Sequence, residues 1–180
     1  MAEATAPALR INQTDIRLSR DDITTLDVDA FVFYAQHDLA LGSGYGRAIS
    51  VRGGLSIQQE LDGLGPLETC DAVVSAAGEL PARAIIHAVG PRFSEEDLEH
   101  KLRRTMVNVL ARAEQHDFRR LAFPPMGAGY YGIPPDLCAT VMVDELTRHL
   151  QGDTCLDDVT ICVLDTKQFR AFETTLSGSR

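Results

Sequence analysis

Short apolar runs of extended-type residues alternate along this chain with longer segments of helical period, and that alternation restricts the fold more than any other feature. Residues 29–33 (DAFVF), 71–77 (DAVVSAA), 83–89 (RAIIHAV), 119–123 (RRLAF) and 158–164 (DVTICVL) each predict a strand, the third stopped by Gly90-Pro91. Residues 11–18, interrupted by Asn12 and Asp15, read as one bent strand or two short ones. Ser94 followed by Glu95, Glu96 and Asp97 predicts an N-cap and an acidic first turn, opening a helix with Leu98, Leu102, Met106, Val109, Leu110 and Ala113 on one face. Pro134-Pro135-Asp136 opens a second, a shorter one follows Tyr45, and a last one covers residues 166–176. Strands alternating with amphipathic helices predict an α/β domain with helices on both faces of a sheet. The dense strand candidates near the start make that sheet mixed. At 180 residues one domain over 10–176 is expected, with 1–9 and 177–180 as frayed ends.

With 17 basic against 26 acidic residues the net charge is -9, which argues against a general nucleic-acid surface or an anionic-membrane surface. A local phosphate site remains open, because main-chain N–H groups at a helix start hold phosphate without a cation. No apolar run approaches the roughly 18 residues of a membrane span, and the start lacks a secretory pattern. Cys70, Cys138, Cys155 and Cys162 have no CxxC spacing and read as reduced thiols of a cytoplasmic protein. No histidine set has metal-ligand spacing, so no metal is expected. His87 lies within an apolar strand and reads as an interior or ligand-proximal residue.

Two glycine-rich loops stand where strands give way to helices: residues 41–47 (LGSGYGR) and 123–132 (FPPMGAGYYG). Glycine lets main-chain N–H groups approach a ligand closely and adopts positive φ freely. The first loop is neither a dinucleotide fingerprint nor a P-loop, and it reads as a phosphate cradle or as a tight turn. In the second, Tyr130 and Tyr131 add flat surfaces to the glycine backbone. Two such loops in one small α/β domain point to a shared, pyrophosphate-sized site beyond the strand ends. Asp22 fits two roles, capping a helix or accepting from an adenine amino group, and the latter discriminates against a base that presents a carbonyl. Phe169 is either core or base-stacking. His37-Asp38 is the local pair suited to acid–base work, and it equally suits a turn. Ser43 has no base partner and serves at most as a phosphate donor.

The stretches DDIT, VDAFVFYAQHDLALGSGYGRAI, LPARAIIHAVGP and LAFPPMGAGYYGIP, in this order, resemble the macro domain family over residues 16–172. The resemblance implies a three-layer α/β/α sandwich around a mixed central sheet. It implies ADP-ribose as ligand or product, no required cofactor, and ADP-ribose or an ADP-ribosylated macromolecule as partner. It places Asp22 on the adenine amino group with the Ile23 backbone beside the base. Gly42, Ser43, Gly44, Tyr45 and Gly46 would wrap the phosphates and approach the distal ribose. Gly127, Ala128, Gly129 and Tyr130 would contact the pyrophosphate through their main chain, Tyr131 would pack by the distal ribose, and Phe169 would face adenine.

Departures from the family pattern bear on activity. Macro domains usually carry asparagine, alanine, alanine, asparagine where this chain has Phe33-Tyr34-Ala35-Gln36. Gln36 keeps the amide but is one methylene longer, and errors of about 1 Å in positioning can lower a rate about 100-fold. The aspartate that positions water in MacroD-like hydrolases is replaced by Gly46, and a serine-threonine pair by Gly127-Ala128. Binding tolerates these changes better than hydrolysis does. The resulting expectation is an ADP-ribose-binding module. The alternatives are an ADP-ribosyl hydrolase using Gln36, His37 or Asp38, or a cleft closed or retuned by Tyr34 and Tyr45.

Overall fold

A computed structural model describes residues 8–180. It contains a seven-stranded sheet of order β1-β2-β7-β6-β3-β5-β4. The strands are β1 (Leu9–Ile11), β2 (Thr14–Ser19), β3 (Ala30–Tyr34), β4 (Ala72–Ala76), β5 (Ala84–Ala88), β6 (Arg120–Phe123) and β7 (Asp158–Cys162). The five central strands run parallel, and β1 and β4 are antiparallel edges, so the sheet is mixed as the sequence predicts. Residues 11–18 form two strands because Asn12 turns the chain at φ 52, a left-handed conformation that asparagine tolerates.

The helices are α1 (Tyr45–Gly53), α2 (Ser56–Asp62), α3 (Leu98–Gln115), α4 (Pro135–Leu150) and α5 (Thr166–Gly178). Alternate residues of the central strands feed two separate cores. Ala30, Val32, Ile86, Leu121, Phe123, Val159 and Ile161 pack with α3, α4 and α5, while Phe31, Ile85, Ala122 and Cys162 pack with α1 and α2. This is a three-layer α/β/α sandwich.

Three local expectations differ from the structure. Ser94 does not cap α3: the Glu95 carboxylate accepts from the Arg92 N–H at 2.9 Å, and the helix starts only after Asp97, which takes φ 54. The helix α2 was not anticipated, since only Ile57 and Leu61 mark its buried side. At the chain ends, Ala8 donates its N–H to the Ile16 carbonyl, Leu9 pairs with Ile16, and α5 continues through Ser177 and Gly178. These positions are held where fraying was expected, and residues 1–7 lie outside the described residues.

Below the sheet, Glu114 at the end of α3 ties that helix to the segment before β7. Its carboxylate accepts from His149 Nε2 at 2.7 Å, from the Cys155 N–H at 3.0 Å and from the Thr154 hydroxyl. Burial alone raises its pKa, but these donors outweigh it and hold the carboxyl at about 2. A depressed carboxyl pKa stabilises the fold fully above the unfolded value and progressively less as pH falls towards the folded one. Glu114→Gln is therefore expected to lower stability at pH 7 by about 2–3 kcal/mol. In denaturant titrations from pH 7 to pH 2, the gap between wild type and variant should shrink below about pH 4.5.

Candidate functional site

β3 meets β6 through Ala30↔Leu121 and Phe31↔Ala122, whereas the β3–β5 ladder continues to Tyr34↔Ala88 and the β6–β7 ladder to Phe123↔Ile161. β3 and β6 therefore part towards their carboxyl ends. A cleft of ≈ 720 Å³ opens there, where ligands of parallel α/β sheets characteristically lie. Its walls include Asp22 and Ile23 after β2, Gly44 and Tyr45 at the start of α1, and Gly127, Ala128, Gly129, Tyr130 and Tyr131 after β6.

The main chain dominates the middle of the cleft. Gly42 and Gly44 have φ +65 and +61, and Gly44 caps α1 without a side-chain hydrogen bond. Among the described residues, the N–H groups of Ser43, Gly44, Tyr45 and Gly46 have no hydrogen-bond partner. In the second loop Gly127 and Gly129 have φ +76 and +83, and the N–H groups of Gly129, Tyr130 and Tyr131 are likewise unpaired among the described residues. Two runs of open donors thus border one cavity, an arrangement that favours an anion.

At one end Asp22 caps the 3-10 turn Ile23–Thr25, its Oδ1 accepting from the Thr24 N–H at 3.0 Å and the Thr24 hydroxyl at 2.8 Å. Its Oδ2 accepts from Arg52 Nη1 at 2.7 Å. Burial pushes this carboxyl up, but Arg52 and Thr24 together bring it below the usual carboxylate range, so it is ionised at neutral pH. Asp22 thus fills the expected capping role and also lines the cleft. Phe169 does not line the cleft: its ring packs against the core beneath the Arg20 guanidinium, 4.1 Å from the centroid. Leu164, Asp165 and Gln168 stand there instead. Gln168, next to Phe169 on α5, was missed because an isolated glutamine carries no pattern in sequence.

At the other end stand Phe33, Tyr34, Gln36 and Tyr131. Tyr34 is turned beneath the second loop, its hydroxyl donating to the Pro91 carbonyl and its ring 4.7 Å from that of Tyr131. A Cβ on Gly90 would lie 2.2 Å from the Tyr34 oxygen, so glycine there makes room for the ring. Neither Tyr34 nor Tyr45 closes the cleft. Gly42 and Gly46 fall outside its lining: Gly42 lies beside the Gln36 amide, and a Cβ on Gly46 would meet the Leu41 carbonyl oxygen at 1.6 Å.

His37 and Asp38 also fall outside. His37 Nδ1–H donates to the Leu67 carbonyl at 2.8 Å, and Asp38 accepts from the Ala40 N–H at 3.0 Å, so both shape a turn. Cys162 lines the cleft with its thiol pushed up to about 12 by burial, and it is not ionised at neutral pH. His87 is an interior residue, its Nε2 2.8 Å from Ser75 Oγ, and burial pushes its pKa down to about 4. No helix among the described residues is long and apolar enough to cross a membrane.

The Macro domain family model matches residues 34–142. A macro domain-containing protein of Ralstonia nicotianae is 36% identical over 167 residues, covering 92% of this chain and 96% of its own. The chain belongs to the macro domain family. An O-acetyl-ADP-ribose deacetylase 1 of Pantoea vagans is 30% identical over 160 residues, covering 86% of this macro domain and 94% of the relative. Among solved structures, the Oceanobacillus iheyensis macrodomain with ADP superposes with a TM-score of 0.90 at 22% identity, covering 95% of this chain and 94% of that one. The Trypanosoma brucei macrodomain in complex with ADP-ribose gives a TM-score of 0.84 at 24% identity, with 93% and 72% covered. At these identities both establish the shared fold.

In this macro domain Tyr34 supports the loop that carries the open donors. Tyr34→Phe leaves the buried Pro91 carbonyl without its donor and is expected to lower stability by about 1–2 kcal/mol. Urea unfolding of the two proteins side by side measures it, and an unchanged midpoint would show that the bond contributes nothing.

Proposed function

We propose that this macro domain binds ADP-ribose, free or as an ADP-ribosyl group on a macromolecule, with adenine at Asp22 and Ile23 and the diphosphate between the two glycine loops. The observation that carries this reading is the convergence of Asp22, Gly44 and Gly129, from three separate segments, on one cleft edged by unpaired main-chain donors. The two superposing macrodomains with ADP and with ADP-ribose are consistent with it.

Hydrolysis is the second reading, favoured by the deacetylase relative at 30% identity. It needs a group to activate water. The carboxylates lining the cleft are Asp22, committed to Thr24 and Arg52, and Asp165, which caps α5 by accepting from the Gln168 N–H at 2.9 Å. Gln36 contributes an amide, which neither gives nor takes a proton near neutral pH. Binding without turnover is therefore the reading preferred here, with Gln36 as a positioning group for the distal ribose.

Calorimetric titration with ADP-ribose beside AMP and NAD tests the proposal, with an affinity on the order of micromolar expected for ADP-ribose. The absence of both heat and thermal shift would reject it. Gly129 adopts φ +83, where a β-branched residue is strained, so Gly129→Val is expected to weaken ADP-ribose binding at least about tenfold. Release of ADP-ribose from a modified substrate at catalytic ratios would instead establish the hydrolase reading.

A further inference from the structure

A series of ring contacts runs from the floor of the cleft to its mouth. Tyr34, 7% exposed, has its ring centroid 4.7 Å from that of Tyr131, and the Tyr131 ring meets that of Tyr130 at 5.2 Å with the two planes 86° apart. All three residues line the cleft, and Tyr130 at the outer end is 89% exposed. A contact at right angles takes one edge or one face of the Tyr130 ring, so at least one face stands open at the mouth. The main chain on either side is tied down. Gly132 donates its N–H to the Gly129 carbonyl at 3.0 Å, and the Tyr131 carbonyl accepts from the Phe93 N–H at 3.1 Å.

The two ends of the cleft differ in charge. Asp22 acts electrostatically on Tyr45 and Cys162, whereas the Tyr131 hydroxyl responds to Arg92, Tyr130 and Asp38, with Arg92 and Asp38 acting in opposite senses. Neither Arg92 nor Asp38 belongs to the lining, and the side chains that line this end, Phe33, Tyr34, Gln36, Tyr130 and Tyr131, carry no charge at neutral pH. An open aromatic face without a charged partner suits a flat ring better than a phosphate or a carboxylate. With the diphosphate between the glycine loops and the distal ribose beside Gln36, the substituent on the anomeric carbon of that ribose is the part of a longer ligand that reaches this rim. In ADP-ribose the substituent is a hydroxyl, which makes no use of a ring face. In a pyridine dinucleotide it is a planar heterocycle, which stacks on one.

We propose that Tyr130 is a platform for a planar ring carried on the distal ribose, so that the cleft takes pyridine dinucleotides such as NAD with the nicotinamide stacked on Tyr130. The inference rests on the nucleotide reading of the cleft given above and adds a subsite to it.

Titration of the full chain with ADP-ribose and with NAD tests it, since the two ligands are identical up to the anomeric carbon of the distal ribose. Wild-type protein is expected to bind NAD within about tenfold of ADP-ribose. Tyr130→Ala is expected to lower the affinity for NAD relative to ADP-ribose about tenfold, and Tyr130→Phe, which keeps the ring, to leave that ratio within about twofold. Both substitutions retain the main-chain N–H of residue 130, so any altered phosphate contact moves both ligands alike and cancels in the ratio. Saturation-transfer NMR on NAD with the wild type should show the nicotinamide protons receiving magnetisation from the protein. NAD binding more than about tenfold weaker than ADP-ribose in the wild type overturns the proposal, a result that stands even if Tyr130→Ala fails to fold. A ratio unchanged by Tyr130→Ala also overturns it, and if that variant then loses affinity for an ADP-ribosylated peptide, the ring serves the modified macromolecule instead. Failure of both ligands to bind the wild type overturns the nucleotide reading itself, whereas binding of ADP-ribose without NAD overturns only this inference.

Discussion

The site depends on β3 being fastened to β6 at one end and parted from it at the other. At the fastened end Asp29 Oδ2 accepts from the Arg119 and Arg120 N–H groups at 2.8 and 2.9 Å, and the Asp29 N–H donates to the Arg120 carbonyl at 3.0 Å. A buried carboxylate satisfied by two main-chain donors is hard to displace, because breaking those bonds leaves a charge offset only by the Arg83 and Arg120 guanidinium groups at 3.7 and 3.9 Å. On the other side the Asp29 carbonyl accepts from the Ala84 N–H at 3.1 Å, so the same residue also seats β5. Beyond Phe31 the β3–β6 ladder ends, and the sheet's twist carries the two strands apart. The cleft is the space this divergence leaves, roofed by the loops that leave β3 and β6.

Such a cleft places main chain where many binding sites place side chains. Its open donors belong to two glycine loops, and their direction is fixed by helix α1 and by the positive φ values of Gly44, Gly127 and Gly129. For the proposed diphosphate, the protein's net charge of -9 opposes approach over a Debye length of about 8 Å, whereas the local dipoles of these donors act at contact and would oppose that repulsion there. The same construction leaves little acid–base capacity. The ionisable side chains around the cavity are held by structural bonds, as with Asp22 and Asp165, or kept neutral by burial, as with Cys162.

Much of this was legible in the sequence, and what was not has specific causes. Strands and long helices declared themselves through period and through stops such as Gly90-Pro91, because burial of one face imposes those patterns directly. Residue type alone joined the two glycine loops, and the family resemblance added Asp22; Asp22, Gly44 and Gly129 line one cleft in the structure. Phe169 misled because an aromatic on an amphipathic helix suits core and cleft alike, and only the placement of Arg20 above its ring decides between them. His37 and Asp38 misled in a similar way: their chemistry is visible in sequence, but their direction depends on contacts with Leu67 and Ala40. Arg52 gave no signal, since a lone arginine in a helix pairs with Asp22 only after the fold has brought together residues thirty positions apart.

The aromatic replacement at Tyr34 shows how such a scaffold absorbs a large change near its binding floor. The ring needs space, and the structure supplies it at two glycines: a Cβ on Gly90 would overlap the ring, and one on Gly127 would approach its oxygen at 3.0 Å. Its hydroxyl is anchored on Pro91, which directs the side chain under the second loop, where it forms part of the cleft lining. Contact with Tyr131 then continues the aromatic surface from the floor to the distal wall. A polar amide at Phe33 and a small residue at Tyr34 would leave that end of the cleft wet and adaptable. With aromatics there instead, the amide at that end of the cleft is Gln36, which lies against the first loop, so in the proposed complex the phosphate-binding main chain would govern placement of the ligand.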